Sequence, residues 1–75
     1  MELLKDYLRA KEYCNKYVWV HTYNKHGEKV LLFCNKGKIL NQTLGFTFLD
    51  CEVVNVKLSY FNDEIDIRIN YRGNE

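Results

Sequence analysis

The first segment of the chain repeats apolar side chains at steps of three and four residues. Within residues 2–14 the apolar positions are Leu3, Leu4, Tyr7, Leu8, Ala10 and Cys14. This spacing gathers the apolar side chains into one stripe along a helix. Asn15 follows the stripe and tolerates the left-handed backbone that ends helices. The pattern therefore predicts an N-terminal helix over residues 2–14.

After Asn15 the apolar period shortens to alternate positions, which is typical of strands. Residues 17–23 and 28–35 are rich in the β-branched and aromatic side chains that strands favour. Between them, Lys25-His26-Gly27 predicts a three-residue hairpin loop with Gly27 in the left-handed conformation. The loop predicts three facing pairs, namely Thr22 with Val30, Val20 with Leu32 and Val18 with Cys34. The opposite face would then carry Tyr17, Trp19, His21, Tyr23, Leu31 and Phe33.

The middle of the chain has the weakest pattern. Residues 35–38 predict a turn, residues 39–40 a short strand, and residues 41–43 an irregular stretch. Residues 44–49 are apolar at alternate positions, which predicts a further strand with a bulge at Gly45.

The last part of the chain predicts a hairpin from two alternating runs. A two-residue loop at Asn62-Asp63 would join them and set their register. The facing pairs would be Tyr60 with Ile65, Leu58 with Ile67, Val56 with Ile69 and Val54 with Tyr71. These apolar side chains then share one face, and a slip of one residue would bury Asp66 and Arg68.

Together these elements predict a single α+β domain over residues 1–75. The N-terminal helix would pack on a curved antiparallel sheet of about four to six strands, arranged as a β-meander or as a half-open barrel. A helix of this length spans roughly 20 Å and covers one face of such a sheet. Because the first hairpin is apolar on both faces, the pattern predicts either a curled sheet or a face left for a partner.

Four ring-bearing side chains, Tyr17, Trp19, His21 and Tyr23, project from one face of the first predicted strand. Exposed tryptophan and tyrosine are typical of protein-binding hot spots. Rings among lysines also suit a stacking platform for single-stranded nucleic acid, the lysines here being Lys16, Lys25, Lys29, Lys36 and Lys38. A third interpretation packs Trp19 and Tyr17 under the helix or inside a curled sheet.

The net charge of +1 conceals an uneven distribution. Residues 1–49 carry eight basic and four acidic side chains, whereas residues 50–75 carry three basic and six acidic ones. Three of the acids, Asp63, Glu64 and Asp66, cluster at the tip of the predicted last hairpin. This acidic tip is a candidate to address a basic nucleic-acid channel on a target enzyme.

The residues that enzymes and metal sites need are sparse. The four glycines are isolated turn residues rather than a phosphate-binding loop, and Ser59 is the only serine. A thiol–imidazole pair of Cys34 with His21 fails because the predicted register puts them on opposite faces. Cys14, Cys34 and Cys51 lack the paired close spacing of zinc ligands, and their apolar neighbours predict buried, inert thiols. We therefore expect no enzymatic activity, no cofactor and no metal site.

Composition also bears on compartment and origin. No apolar run approaches the 18 or so residues of a membrane helix. An odd number of cysteines without a secretion signal leads us to expect reduced thiols in a bacterial or host-cell cytosol. Lys, Asn, Ile and Tyr, which have AT-rich codons, make up 26 of the 75 residues and suggest an AT-rich genome.

The sequence accordingly predicts a small non-enzymatic protein that binds a larger host protein or nucleoprotein complex and inhibits it by surface occlusion. A homodimer is a further expectation. The contact residues would be the four ring-bearing residues, Tyr17, Trp19, His21 and Tyr23, and the acidic tip of Asp63, Glu64 and Asp66. The size, the coding bias and the missing catalytic residues suit a phage or mobile-element inhibitor of host defence, for instance of the anti-CRISPR type. The alternative is a small nucleic-acid-binding module that uses the aromatic and lysine face.

Overall fold

The computed structural model of the protein describes residues 2–59 and 63–71, and this part of the chain forms three helices and four strands. In chain order these are α1 (Leu4–Arg9), β1 (Tyr17–Tyr23), β2 (Lys29–Lys36), α2 (Gly37–Thr43), α3 (Phe46–Leu49), β3 (Val53–Ser59) and β4 (Glu64–Ile69). The predicted α+β class, with an N-terminal helix and a sheet, is confirmed.

The four strands form one mixed sheet in the order β2-β1-β4-β3. Each hairpin is antiparallel, as predicted, but the two central strands β1 and β4 run parallel. The sheet is therefore neither a β-meander nor a half-open barrel, and it stays open. A parallel pair needs a long crossover connection, and α2 and α3 lie in the segment that joins the two hairpins.

The first hairpin matches the prediction near its loop. β1 has the predicted bounds, and β2 begins and ends one residue later than predicted. Gly27 has a positive φ of 77°, which glycine adopts without steric cost. Thr22 faces Val30, also as predicted.

Further from the loop a β-bulge shifts the register of the first hairpin. The observed pairs are Val20 with Phe33, Trp19 with Cys34 and Val18 with Asn35, and they replace the predicted pairs Val20 with Leu32 and Val18 with Cys34. The shift turns Phe33 toward the core and Cys34 toward the face of Trp19. The prediction placed both side chains on the wrong faces, because alternation alone does not locate a bulge.

The N-terminal helix is shorter than predicted. α1 ends where Ala10 takes an extended conformation, and residues 10–16 form successive turns. These turns contact the start of α2, where the backbone N–H of Lys38 donates to the carbonyl of Cys14 at 2.8 Å and that of Gly37 donates to the carbonyl of Lys16 at 3.0 Å. The turns thus satisfy N–H groups that have no partner within α2.

The strands predicted over residues 39–40 and 44–49 are wrong, since these residues lie in α2 and α3 or beside them. Leu40 and Leu49 bring the two helices into the core. Phe48 packs between Phe33 and Tyr71, with ring centroids 4.7 Å and 4.8 Å away. Burial against the sheet therefore outweighs the local preference of these residues for strands.

The last hairpin has part of the predicted core face and a different register. The observed pairs are Leu58 with Ile65, Val56 with Ile67 and Val53 with Ile69, and a bulge lies between Val53 and Asn55. The predicted positions of Tyr60 and Asn62 lie outside the described residues. A shift of two residues keeps side chains on the same face, so β4 presents the predicted face to the core although its pairing differs. Val54, predicted on the core face, is 49% exposed, because the bulge puts Val53 against the core instead.

The hydrophobic core lies on one face of the sheet. Its nine buried apolar residues come from all three helices and from β1 and β4, namely Leu4, Leu8, Val18, Val20, Leu40, Leu49, Ile65, Ile67 and Ile69. Among the described residues, every helix contributes to this one cluster. Within residues 2–59 and 63–71, no helix therefore covers the other face of the sheet.

Candidate docking face

We call the uncovered side of the sheet the open face and define it by rows of residues that face one another across the strands. From β2 to β3 the rows are Lys36, Tyr17, Glu64 and Ser59; then Cys34, Trp19, Asp66 and Lys57; then Leu31, His21, Arg68 and Asn55, with Lys29 and Tyr23 in a shorter fourth row. Side chains of facing residues lie on the same side of a sheet, so each row presents its groups together.

Three of the four predicted ring-bearing residues are exposed on this face. Tyr17 is 48% exposed, Trp19 36% and Tyr23 38%, and Leu31 beside them on β2 is 54% exposed. Trp19 and Tyr17 therefore do not pack under the helices or inside a curled sheet. Neighbouring β1 positions, Val18 and Val20, are fully buried, so the alternation of the strand separates core from open face residue by residue.

His21, the fourth ring-bearing residue, is only 6% exposed although it belongs to the open face. Its Nδ1 lies 2.8 Å from Oδ1 of Asp66, and Nζ of Lys29 lies 3.6 Å from the other carboxylate oxygen. The ring also meets the edge of Tyr23 at a centroid distance of 5.8 Å. His21 thus serves as a support for its neighbours rather than as an accessible contact residue.

Tyr23 is held from the other side by Arg68. The guanidinium carbon of Arg68 lies 4.2 Å from the ring centroid of Tyr23, within the range of a cation–π contact. Arg68 was not among the predicted contact residues. Its place on this face nevertheless follows from the sequence, because Arg68 alternates with the apolar residues of the last predicted strand and shares the polar face with Asp66.

The three residues of the predicted acidic tip are separated by their partners. Asp63 forms an ion pair with Lys16 at 2.6 Å, and Asp66 is bound to His21 and Lys29. Glu64 faces Tyr17 at the start of β4. The structure therefore brings Glu64 and Asp66 onto the open face beside the rings, and it compensates two of the three negative charges within the chain.

A groove of about 350 Å³ runs along the open face beside the indole of Trp19. Its polar lining comes from Lys57, Ser59, Glu64 and Asp66 on the two neighbouring strands. The groove is thus bordered by one large ring and by charges of both signs.

The cysteines differ from the predicted buried thiols. Cys34 is exposed, while Cys14 and Cys51 are half-buried. Desolvation, assisted by the charge of Glu64, raises the pKa of the Cys34 thiol above its ordinary value. The register places Cys34 on the same face as His21, not opposite to it, but in a different row. A raised thiol pKa disfavours the thiolate, so this arrangement does not activate a nucleophile.

Within residues 2–59 and 63–71, no three His, Cys, Asp or Glu side chains are grouped as a metal site requires. Among the same residues, no helix has the length and apolar character needed to cross a bilayer.

The fold and the open face define an α+β protein with helices on one side of a sheet and rings on the other. No protein-family model, curated protein or solved structure matches this chain. Its function is therefore argued from the open face itself.

Proposed function

We propose that this chain is a non-enzymatic protein-binding module that uses its open face to cover the working surface of a larger protein. The observation that carries the proposal is the row of exposed rings, Tyr17, Trp19 and Tyr23, on the side of the sheet without helices. Tryptophan and tyrosine supply large contact areas with little loss of side-chain freedom, and they dominate protein-binding hot spots.

The free energy gained by burying these rings is comparable to the free-energy cost of association. If each of the three rings exposes roughly 90 Å², covering them contributes about 7 kcal/mol at about 25 cal/mol per Å². Association costs about 4–15 kcal/mol in lost freedom of motion. The rings therefore supply a large share of the binding free energy, and the charged residues around them have to supply the rest.

The charges next to the rings favour a protein over a nucleic acid as the partner. Glu64 faces Tyr17 and Asp66 faces Trp19, so a carboxylate stands directly across from each of these rings. Lys36 faces Tyr17 from the other side and Lys29 lies 3.6 Å from Asp66, so this face carries charges of both signs rather than the continuous basic groove that binds a nucleic-acid strand. One face of the Tyr23 ring carries the guanidinium of Arg68 and is not free to stack on a base, although the residue stays 38% exposed. Nucleic-acid binding therefore stands as the alternative that the experiment has to exclude.

The finer form of the proposal is an inhibitor encoded by a phage or another mobile element and acting in a host cytosol, for instance an anti-CRISPR-type blocker. The small size and the AT-rich coding support it. Expression of the chain beside a CRISPR nuclease should then restore transformation by a targeted plasmid, and the Trp19→Ala variant should not. Equal plasmid loss with and without the chain would contradict this finer form.

The test of protein binding compares two variants that each remove one exposed ring. Trp19→Ala removes a ring from the open face, and Phe46→Ala removes a 71% exposed ring from α3 on the helical side. The wild-type chain is immobilised, proteins are captured from a nuclease-treated bacterial extract, and a captured protein is identified, purified and titrated against all three chains. We expect Trp19→Ala to weaken binding about 30-fold or more, as for a hot spot of about 2 kcal/mol. Phe46→Ala should bind like wild type.

Two results would contradict the proposal. One is a folded Trp19→Ala variant that binds the purified partner as tightly as wild type. The other is capture that succeeds only from a parallel extract without nuclease treatment and that falls steeply with salt, because release of counterions marks a nucleic-acid partner.

A further inference from the structure

The first row of the open face has a sign pattern that is complementary to itself. Lys36 on β2 and Glu64 on β4 both face Tyr17 on β1, from opposite sides. The row therefore runs from a positive group through a ring to a negative group. We propose that the open face also docks a second copy of this chain about a two-fold axis parallel to β1, so that Lys36 of each copy meets Glu64 of the other.

The pairing follows from the symmetry of such an axis. A two-fold axis that passes between two facing sheets, parallel to their β1 strands, lays β1 on β1 and exchanges the flanking strands. β2 of each copy then lies over β4 of the other. Packed sheets stand about 10 Å apart, a gap that a lysine and a glutamate can bridge from opposite sides. The dimer gains two equivalent ion pairs, as an isologous contact requires.

The other rows accept the same arrangement. In the second row Trp19 lies over Trp19 of the second copy, and Cys34 lies over Asp66. In the third row Leu31 lies over the stem of Arg68. β2 is an edge strand of the described sheet, so nothing in the second copy lies over β3 of the first. Lys57, on β3, therefore lies outside the overlap. No two like charges of the defined rows face each other.

A competing two-fold axis is disfavoured by the same charges. An axis perpendicular to the strands through Trp19 would lay each residue of the second row on its own copy. Asp66 would then face Asp66, and Lys57 would face Lys57. Like charges brought face to face are costly, so the charge pattern selects the axis parallel to β1.

The overlap sets the strength of the dimer. The three strands β2, β1 and β4, of 8, 7 and 6 residues, cover roughly 15 Å by 23 Å, which places the contact below the standard size of stable interfaces. We therefore expect a weak, reversible dimer with a dissociation constant in the micromolar range. This inference rests on the proposed function in that it uses the same face, and it implies that a partner protein must displace the second copy.

Sedimentation velocity over about 5–500 µM protein tests the dimer, because mass action makes a weak dimer concentration-dependent. Wild type should pass from monomer to dimer in this range. Lys36→Glu and Glu64→Lys should each weaken association about tenfold or more, and the double variant Lys36→Glu/Glu64→Lys should regain it to within about threefold. Lys57→Glu is the matched control and should leave association unchanged. Circular dichroism verifies that each variant is folded.

Three outcomes overturn the inference. They are a wild-type chain that stays monomeric throughout the range, a Lys36→Glu variant that associates like wild type, and a double variant as weak as either single variant. None of them bears on the proposed function, because that proposal is decided by the effect of Trp19→Ala on a purified partner. Failure of that partner experiment leaves the sedimentation result standing.

Discussion

The covered face and the open face of the sheet are made by the same strands, yet their chemistry differs. The covered face of β1 and β4 is aliphatic, with Val18, Val20, Ile65, Ile67 and Ile69 all fully or almost fully buried. The open face of the same strands carries rings, carboxylates and basic groups. Aliphatic side chains fill a core at little entropic cost, whereas rings with polar ends tolerate both water and a partner. The difference indicates that one face maintains the fold and the other is available for binding.

The largest effect should come from a charge on the covered face. Ile67 is fully buried in the hydrophobic core, so Ile67→Asp places a carboxylate there without a partner. We expect a loss of about 4 kcal/mol or more, enough to unfold a domain of this size. Circular dichroism should show the loss, while Asn55→Asp on the open face should stay folded. A folded Ile67→Asp variant would break the contrast between the faces.

The next effect concerns the contact between the helical layer and the turns that follow α1. A Cβ at Gly37 would lie 2.6 Å from the carbonyl oxygen of Tyr13, a backbone atom that cannot rotate away. We expect Gly37→Ala to destabilise the protein by about 2–3 kcal/mol through overpacking. Gly45→Ala is the control, because a Cβ there meets nothing within 4 Å. Urea denaturation measures the stability of both variants. Equal unfolding midpoints for Gly37→Ala and Gly45→Ala would show that the start of α2 is not tightly packed.

A smaller effect on stability is expected on the open face. Trp19→Ala removes a ring that is already 36% exposed, so the free energy of unfolding should fall by only about 1–2 kcal/mol. The same variant should lose partner binding, which separates binding from folding. Thermal unfolding measures the change in stability. A loss of 4 kcal/mol, typical of a core tryptophan, would place the indole in the core instead.

The smallest effect concerns the hydrogen bond between Tyr7 of α1 and Glu2. The hydroxyl of Tyr7 donates to the carboxylate of Glu2, and this hydrogen bond is the main cause that raises the pKa of Tyr7 from 10.0 to about 12. Because the folded pKa lies above the unfolded one, the contribution is fully present below pH 10 and is lost as the pH rises through about 12. Thermal unfolding measured between pH 10 and about pH 12 should show a small loss of stability in wild type that the Tyr7→Phe variant lacks. Parallel curves for the two proteins would argue against the hydrogen bond.

The candidate site was predictable because alternation is a local property. The sequence placed Tyr17, Trp19 and Tyr23 together on one side of a strand, and the structure exposes all three. It could not show that His21 is buried and bonded to Asp66, since the two residues belong to different strands and are 45 positions apart. Nor could it show that Asp63 and Asp66 are compensated, because their partners Lys16 and Lys29 are distant in sequence.

The sequence by itself determined the α+β class, the hairpin loop at Gly27 and the core-facing side of β4. These features follow from period, turn chemistry and side-chain branching, which act over a few residues. Only the tertiary structure decided the parallel β1–β4 pair, the bulge that reverses Phe33 and Cys34, and the helices over 37–43 and 46–49. Each of those depends on packing between distant segments, where burial of apolar area outweighs local preference.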